Sequence, residues 1–268
     1  MPELDASPAS SPAAATVIPA ATVVIFRHAA SGGAPELLMV QRSQAMRFAG
    51  GAVVFPGGKV DPADHELAAS LAIQAPDAID DLDEIAHRIA AIRETLEETG
   101  LALGLAQPVS AKDAARARAL LLETGALAAM LDHMGWRLAL DSLVPFARWC
   151  PNFVRTFDTR FYLADLGSGS VDITVDATEN SRLFWMSAAD VLAAADAGEL
   201  SLIFPTRRNL ERLAQFASFA EVRAHALATP VRTISPAHIE RDGEAWLTIP
   251  DGLGYPVLAQ PMSTAMRG

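Results

Sequence analysis

Near the amino terminus, two apolar segments flank a group of turn-forming residues. Val17 to Phe26 is almost wholly apolar and rich in β-branched side chains, which is typical of a buried strand. Leu37 to Gln41 has a similar composition. Between them lies Ser31-Gly32-Gly33-Ala34-Pro35, a run of residues that favour a turn. The pattern therefore predicts a β-hairpin.

Farther along, the spacing of apolar residues becomes helical. Apolar side chains recur every three or four positions, at Ile85, Ile89, Ile92 and Leu96. Asp81, followed three positions later by Glu84, is typical of a capping box that starts a helix. Gly100 suits the position just past a helix end. The sequence thus predicts an amphipathic helix between Asp81 and Gly100.

The remainder alternates between helical and strand-like segments, which indicates an α/β (α+β) fold. We predict helices at 110–123, 127–133, 187–197 and about 206–227, and strands at 143–149, 157–163 and 183–186. The helix at 206–227 is predicted to turn its inner face to the core with Leu210, Leu213, Phe216 and Ala220. Residues 229–268 contain five prolines. They are predicted to form an extension, with a strand at 245–249 in a small hairpin, packed on the domain or on a second subunit.

Composition and charge narrow the class of protein. The 268 residues are 51% hydrophobic and 20% charged, which is typical of a globular chain, and the formal net charge of −11 argues against a nucleic-acid-coating surface. No apolar run approaches the roughly 20 residues that span a bilayer. The single cysteine, Cys150, excludes a disulfide framework and favours a cytoplasmic location. Residues 1–16 are rich in Ala, Ser and Pro, lack the features of a secretory signal, and are expected to be a disordered lead.

Candidate chemistry lies on the predicted helix between Asp81 and Gly100. At about 100° per residue, Glu94, Glu97 and Glu98 fall on the side opposite the apolar stripe. Clustered carboxylates are hard oxygen ligands that suit Mg²⁺ or Mn²⁺, and a divalent ion would relieve their mutual repulsion. The alternative is an ordinary solvated acidic face, because such faces are common on surface helices.

These residues, together with a glycine-rich stretch upstream, resemble the Nudix box, G-x5-E-x7-R-E-U-x-E-E-x-G-U with U an apolar residue. Arg93, Glu94, Glu97, Glu98, Gly100 and Leu101 match, whereas Thr95 is a weak occupant of an apolar position. Gly58 is followed six positions later by Asp64 instead of Glu. The 34 residues between Gly58 and Arg93 far exceed the family spacing. The box is therefore split by an insertion at about 65–82, expected to hold a short helix and an acidic loop.

A second resemblance lies just before the box. Arg42 and Arg47 precede Phe55-Pro56-Gly57-Gly58 at the spacing R-S-x3-R-x3-G-x3-F-P-G-G, which is similar to the signature of coenzyme A diphosphatases within the Nudix family. Met39 and Val40 depart from the front of that signature. Both the split box and the segment from Arg148 to Tyr162 resemble the long-insert branch typified by the mammalian peroxisomal enzyme.

The resemblance implies a Nudix fold, in which a mixed β-sheet lies between helices, and hydrolysis of a diphosphate joining a nucleoside to another moiety. It implies metal ligation of Mg²⁺ or Mn²⁺ by Gly57, Glu94, Glu97 and Glu98. The expected catalytic residues are Glu94, Glu98 and Glu179, although Glu179 is as well explained as a surface residue. Arg42, Arg47 and Lys59 are expected to bind phosphate, and Gly58, Arg93 and Gly100 to shape the motif.

Three interpretations of function remain open at this point. The first is cleavage of CoA or acyl-CoA to 3′,5′-ADP and (acyl-)phosphopantetheine. The second is a Nudix pyrophosphatase for ADP-ribose, a dinucleotide or a nucleotide sugar, since the fold does not decide the substrate. The third is a catalytically silent Nudix module that senses nucleotides. In each interpretation the ligand is a small nucleoside diphosphate derivative, and no nucleic acid or membrane partner is expected. Whether the chain forms a homodimer is left open. Residues 17–228 are expected to form the Nudix domain and 229–268 its extension.

Overall fold

A computed structural model describes residues 16–29, 32–46, 49–74, 81–152, 155–167, 173 and 180–265. The expected disordered lead falls almost wholly outside these residues, as do residues 75–80 of the insertion expected at about 65–82. The strands are β1 (Thr16–Arg27), β2 (Glu36–Arg42), β3 (Val53–Val54), β4 (Gly57–Lys59), β5 (Val144–Trp149), β6 (Arg155–Asp165), β7 (Asn180–Ser187), β8 (Thr233–Ile234), β9 (Ala237–Arg241), β10 (Glu244–Thr248) and β11 (Ala259–Pro261). The helices are α1 (Pro62–Gln74), α2 (Leu82–Thr99), α3 (Ala111–Thr124), α4 (Leu127–Met134), α5 (Ala188–Asp196), α6 (Phe204–Leu213), α7 (Phe219–Ala228) and α8 (Met262–Ala265).

In the described part of the chain, eight strands form one mixed sheet with the order β3-β2-β1-β6-β5-β8. Strand β4 adds to β1 and strand β7 adds to β2. The long pairing of β1 with β6 is parallel, whereas β1 pairs antiparallel with both β2 and β4. The predicted hairpin is therefore confirmed, with Phe26 opposite Leu37.

Strand β1 has no solvent-facing side along its second half, because both faces of the sheet are covered. Val24 and Phe26 enter a core layer with α5, α6 and α7. Ala21, Val23 and Ile25 alternate with them and enter the other layer, with α1 to α4. Since side chains of a strand alternate between faces, a continuous apolar run is what a sheet between two helix layers requires. The predicted mixed sheet between helices is confirmed.

Helix α2 begins and ends where the sequence predicts. The side chain of Asp81 accepts hydrogen bonds from the backbone N–H groups of Asp83 and Glu84, both at 3.0 Å. The carboxylate of Glu84 instead contacts Arg88 and Arg160, at 3.0 and 2.6 Å. Of the predicted capping box, the structure thus shows the hydrogen bonds that the Asp81 side chain accepts. At the other end, Gly100 has a φ of 76°, the left-handed conformation that glycine adopts without strain.

The prediction of one helix at about 206–227 is wrong, because α6 ends at Leu213 and α7 begins at Phe219. Ser218 accepts a hydrogen bond from the backbone N–H of Glu221, and the Glu221 carboxylate accepts one from Ala217. These two bonds cap the start of a new helix. Ala220, predicted to face the core, is consequently exposed, and Val222 takes the buried position.

The insertion contributes a longer helix than predicted. Helix α1 starts at Pro62, before the expected boundary at 65, which agrees with the preference of proline for the first helical turn. Ala68 of this helix is buried in the same core layer as α2. The helix is therefore part of the packed structure. No helix in the described residues has the length and apolarity to cross a membrane.

Residues 229–265 contain elements that pack on the rest of the chain. Strand β8 pairs with β5, and β9, β10 and β11 form a three-stranded sheet within the described residues, larger than the predicted hairpin. The hydroxyl of Tyr255 accepts from the indole N–H of Trp149 at 3.2 Å and donates to Asn209 at 2.8 Å. These buried bonds tie the extension to β5 and α6.

Candidate active site

The two halves of the split motif meet where strand β4 lies beside helix α2. Gly57 donates its backbone N–H to Oε2 of Glu98 at 2.9 Å, across 41 positions of sequence. A Cβ on Gly58 would overlap the carboxylate of Glu94. A side chain at this position would therefore have to displace the Glu94 carboxylate, so glycine permits the close approach of β4 to this acidic side chain. The insertion leaves these two halves in contact.

Arg93 connects strand β4, helix α1 and the acidic residues of α2. Its Nε and Nη2 donate to the two carboxylate oxygens of Asp64, at 3.0 and 2.9 Å, a bidentate pair between side chains that are 5% and 1% exposed. Nη2 also donates to the carbonyl oxygen of Lys59 at 2.9 Å. Nη1 lies 3.0 Å from both Glu94 Oε1 and Glu97 Oε2. Through these contacts Arg93 acts as a brace that holds β4 and α1 against α2.

Burial and charge strongly perturb these groups. Burial raises the pKa of Glu94 to about 8, and the charges of Glu97 and Glu98 add to the shift while Arg93 opposes it. Burial likewise raises the pKa of Glu97, against the lowering effect of Arg93. For Arg93, burial acts to lower the pKa, but the hydrogen bonds and charge of Asp64 and the charges of Glu94 and Glu97 raise it overall. The guanidinium therefore stays charged.

Glu98 is the most buried of the three glutamates, and both its oxygens accept hydrogen bonds. Oε2 accepts from Gly57, and Oε1 accepts from Nδ2 of Asn180 at 3.1 Å. Glu94 and Glu97 keep partial exposure. The alternative of a solvated acidic face is therefore not what the structure shows. Helix α2 is covered by β1 and β4 and by the helices α1 and α3.

The carboxy-terminal end of α2 has a partner that sequence reasoning did not identify. Arg118, on α3, donates from Nε and Nη2 to the carbonyl oxygen of Glu97, at 3.0 and 2.7 Å. The last turn of α2 contains no basic residue of its own. A cation at this end satisfies an unpaired carbonyl and interacts favourably with the helix dipole.

The residues expected to bind phosphate are only partly described. Arg42, at the end of β2, lies opposite Asn180 of β7 in the sheet, and its Nε is buried without a hydrogen-bond partner among the described residues. Lys59 is exposed beside Gly58. Arg47 and Glu179 lie outside the described residues, so their predicted roles stay predictions. Arg42 and Lys59 thus lie on two different strands, β2 and β4.

Whether these residues suit a divalent cation can be judged from their arrangement. In the described ranges, no three His, Cys, Asp or Glu side chains are grouped so as to hold a metal ion. The chemistry of the donors nevertheless fits Mg²⁺ or Mn²⁺, because oxygens of Glu94 and Glu97 converge on one cationic nitrogen. A divalent cation beside Glu94 would favour the ionised form of its carboxyl group, which burial and the charges of Glu97 and Glu98 disfavour.

Two further contacts of the site were not predicted from the sequence, namely those of Asp64 with Arg93 and of Asn180 with Glu98. Asp64 stood out only as a departure from the family pattern, although its position six residues after Gly58 marked it as part of the motif. Asn180 carried no signal, because its contact with Glu98 joins residues that are 82 positions apart. Thr95, the weak match, is fully buried and donates its hydroxyl to the carbonyl of Ala91 at 2.7 Å.

Comparisons with known proteins identify a family model and relatives that this chain resembles. A family model described as NUDIX domain matches residues 18–117. The crystal structure of a NUDIX hydrolase from Alicyclobacillus acidocaldarius is 30% identical, with a TM-score of 0.64, over 78% of this chain and 96% of that one. Putative nudix hydrolase 7 of Caenorhabditis elegans is 26% identical over 210 residues, which are 74% of this chain and 64% of that protein. The chain thus spans slightly less than two thirds of that relative.

The brace around Arg93 predicts a large loss of stability when its buried partner is neutralised. Asp64→Asn keeps the shape of the side chain but removes its charge. We expect the free energy of unfolding to fall by about 3 kcal/mol, since Nε and Nη2 of the buried guanidinium would lose their charged partner. Urea denaturation measures this change.

The matched control is Asp196→Asn, which neutralises the partner of Arg207 in a pair whose acidic side chain is 67% exposed. That change is expected to cost less than about 1 kcal/mol. Equal losses for the two variants would contradict the bracing role of the Asp64–Arg93 pair.

Proposed function

This chain belongs to the Nudix hydrolase family, and we propose that it hydrolyses the diphosphate of a small nucleoside diphosphate derivative with the help of a divalent cation. One observation carries this proposal. Glu98 and Glu94 lie against Gly57 and Gly58 of β4, and Arg93 joins Glu97 to the same group, although the motif that supplies these residues is split by an insertion. The contact between these two halves supports a working hydrolase more than a silent nucleotide sensor.

The residues of this site divide the chemistry as follows. Glu97, Glu98 and the carbonyl oxygen of Gly57 would hold Mg²⁺ or Mn²⁺, with Glu94 beside them. A bound divalent ion supplies Lewis acidity toward phosphoryl oxygens and makes water a better nucleophile. Glu94, partly exposed next to Gly58, or Glu179 would take the proton from the attacking water. Arg93 would hold the carboxylates in place. Its guanidinium contacts protein groups, so we do not assign it a contact with substrate.

The substrate that we propose is CoA or an acyl-CoA. Water would add to one phosphorus atom, the bridging P–O bond would break, and the products would be 3′,5′-ADP and (acyl-)phosphopantetheine. Support comes from Arg42, whose buried Nε lacks a partner among the described residues and whose strand position is opposite Asn180. A guanidinium so placed suits a phosphate oxygen. Arg47 is proposed to act with it, and Lys59 to neutralise further phosphate charge.

A product assay over a panel of diphosphates tests the proposed reaction. CoA, acetyl-CoA, ADP-ribose, a dinucleoside polyphosphate and a nucleotide sugar would be incubated with Mg²⁺ or Mn²⁺, and again after treatment with EDTA. We expect CoA cleavage with a divalent ion and none after chelation. Full activity in the metal-free protein would contradict the metal requirement, and preference for ADP-ribose would reject the CoA assignment alone.

Glu98→Gln is the matched variant for this assay. The change replaces one acceptor oxygen by an N–H donor that faces either Gly57 or Asn180, so some stability is lost. We expect kcat to fall by about 100-fold or more at a temperature where circular dichroism shows a folded chain. A folded variant that keeps its rate would contradict the role given to Glu98.

The role of Arg42 is tested by comparing CoA with dephospho-CoA, which lacks the 3′-phosphate. A hydrogen bond to a charged group is worth about 1.5–3 kcal/mol. Arg42→Ala should therefore lower kcat/KM for CoA by about 10- to 150-fold, and far less for dephospho-CoA. Arg182→Ala is a suitable control, because this exposed arginine lies on neighbouring β7 and stacks on Phe184. An equal loss on both substrates would move Arg42 to the diphosphate or to a structural role.

A further inference from the structure

Asn180 joins the sheet to the buried carboxylate of Glu98. It is the first residue of β7 and only 2% exposed. Its Nδ2 donates to Oε1 of Glu98 at 3.1 Å, while Gly57 donates to Oε2 at 2.9 Å. Two donors from separate elements thus hold the two oxygens of one carboxylate. Such a carboxylate cannot turn about its last bond without losing a hydrogen bond.

The backbone around Asn180 is also constrained. It pairs with Arg42 of β2, directly after a shift of register between Gln41 and Arg42. Bulges of this kind redirect a side chain and occur often beside functional sites. Without the shift, the alternation of side chains along β7 would be continuous. The register shift thus lies next to Asn180, the residue of β7 whose side chain contacts Glu98 of α2.

Asn180 is only half satisfied as a hydrogen-bonding group. Its Oδ1 is buried and has no hydrogen-bond partner among the described residues. A buried amide with an unpaired oxygen is unfavourable, and an apolar residue of similar size would avoid that cost. The donor that Nδ2 provides to Glu98 is the contact that an apolar residue could not supply.

We propose that Asn180 is a positioning residue that fixes the Glu98 carboxylate for binding a divalent cation. This inference rests on the proposed function, because it assumes that Glu98 is a metal ligand. Residues that hydrogen-bond to metal ligands typically change metal affinity or activity by about 10- to 100-fold when they are removed. Asn180 acts through Glu98, so its loss should weaken metal binding first and the chemical step second.

Asn180→Leu tests this inference, because leucine has a similar volume and lacks the donor. The dissociation constant for Mn²⁺ would be measured from the electron paramagnetic resonance signal of free Mn²⁺, which needs no catalysis. We expect this constant to rise by about 10- to 100-fold. We also expect kcat to recover in part at saturating Mn²⁺. Asn180→Ala provides a second variant that introduces no new bulk, measured on chain shown to be folded by circular dichroism.

The matched control is Asn209→Leu, with Asn209→Ala beside it. Asn209 is fully buried and its Oδ1 accepts a hydrogen bond from Tyr255, on the side of the extension. Its replacement should cost comparable stability and leave the Mn²⁺ dissociation constant unchanged. Ser181→Ala, next along β7, removes a side-chain bond to the carbonyl of Gln41 and should also leave it unchanged.

The outcomes separate this inference from the proposed function. A wild-type chain that binds Mn²⁺, combined with Asn180 variants of unchanged affinity, would overturn the positioning role while leaving the hydrolase proposal intact. An equal loss of affinity in the Asn209 variants would likewise reduce the role of Asn180 to general stability. A wild-type chain without Mn²⁺ binding and without diphosphatase activity would instead reject the proposed function itself.

Discussion

The buried guanidinium of Arg93 is the contact on which the rest of the site depends. Its nitrogens donate hydrogen bonds to Asp64 of α1, to the carbonyl of Lys59 in β4, and to two glutamates of its own helix, α2. Because the guanidinium is planar and its donors are fixed in direction, these partners are fixed relative to one another. The insertion can therefore separate the two halves of the motif along the sequence while they remain joined in space.

This arrangement has an electrostatic consequence. One guanidinium contacts Asp64, Glu94 and Glu97, and Glu98 lies beside them with its own donors. Burial raises the pKa of Glu94 to about 8, and the charges of Glu97 and Glu98 add to this shift. A folded chain tolerates buried carboxylates when hydrogen bonds satisfy them, and a cation lowers the cost of their ionised form further. The same residues thus join the elements of the fold and, in the proposed function, would bind a divalent ion.

Local patterns predicted much of the fold, because the signals for hairpins and helix ends lie within a few residues. The pairing of β1 with β2 and both ends of α2 are examples. Helical periodicity failed at residues 214–218, since Leu210, Leu213 and Phe216 keep the spacing of a continuous helix although Ser218 starts a new one. A serine three residues before a glutamate was the available signal.

The candidate site was predictable only where its residues belong to the motif. The glutamates of α2 were identified from their spacing, but the burial of Glu94 and Glu98 was not, because it depends on how β4 and β7 meet α2. The partnership of Asn180 with Glu98 likewise depends on how β7 meets α2 across 82 positions. Contacts of this kind arise from the packing of whole elements, and nothing in the flanking sequence specifies them.

Anomalous diffraction from crystals soaked in Mn²⁺ would test the central claim most directly, namely that these carboxylates form the metal site. The account predicts a peak at a coordinating distance, roughly 2.0–2.6 Å, from an oxygen of Glu98 and from a carboxylate oxygen of Glu97 or Glu94. A peak at the other end of α2, beside Asp83 and Glu84, with none near Glu98, would contradict it.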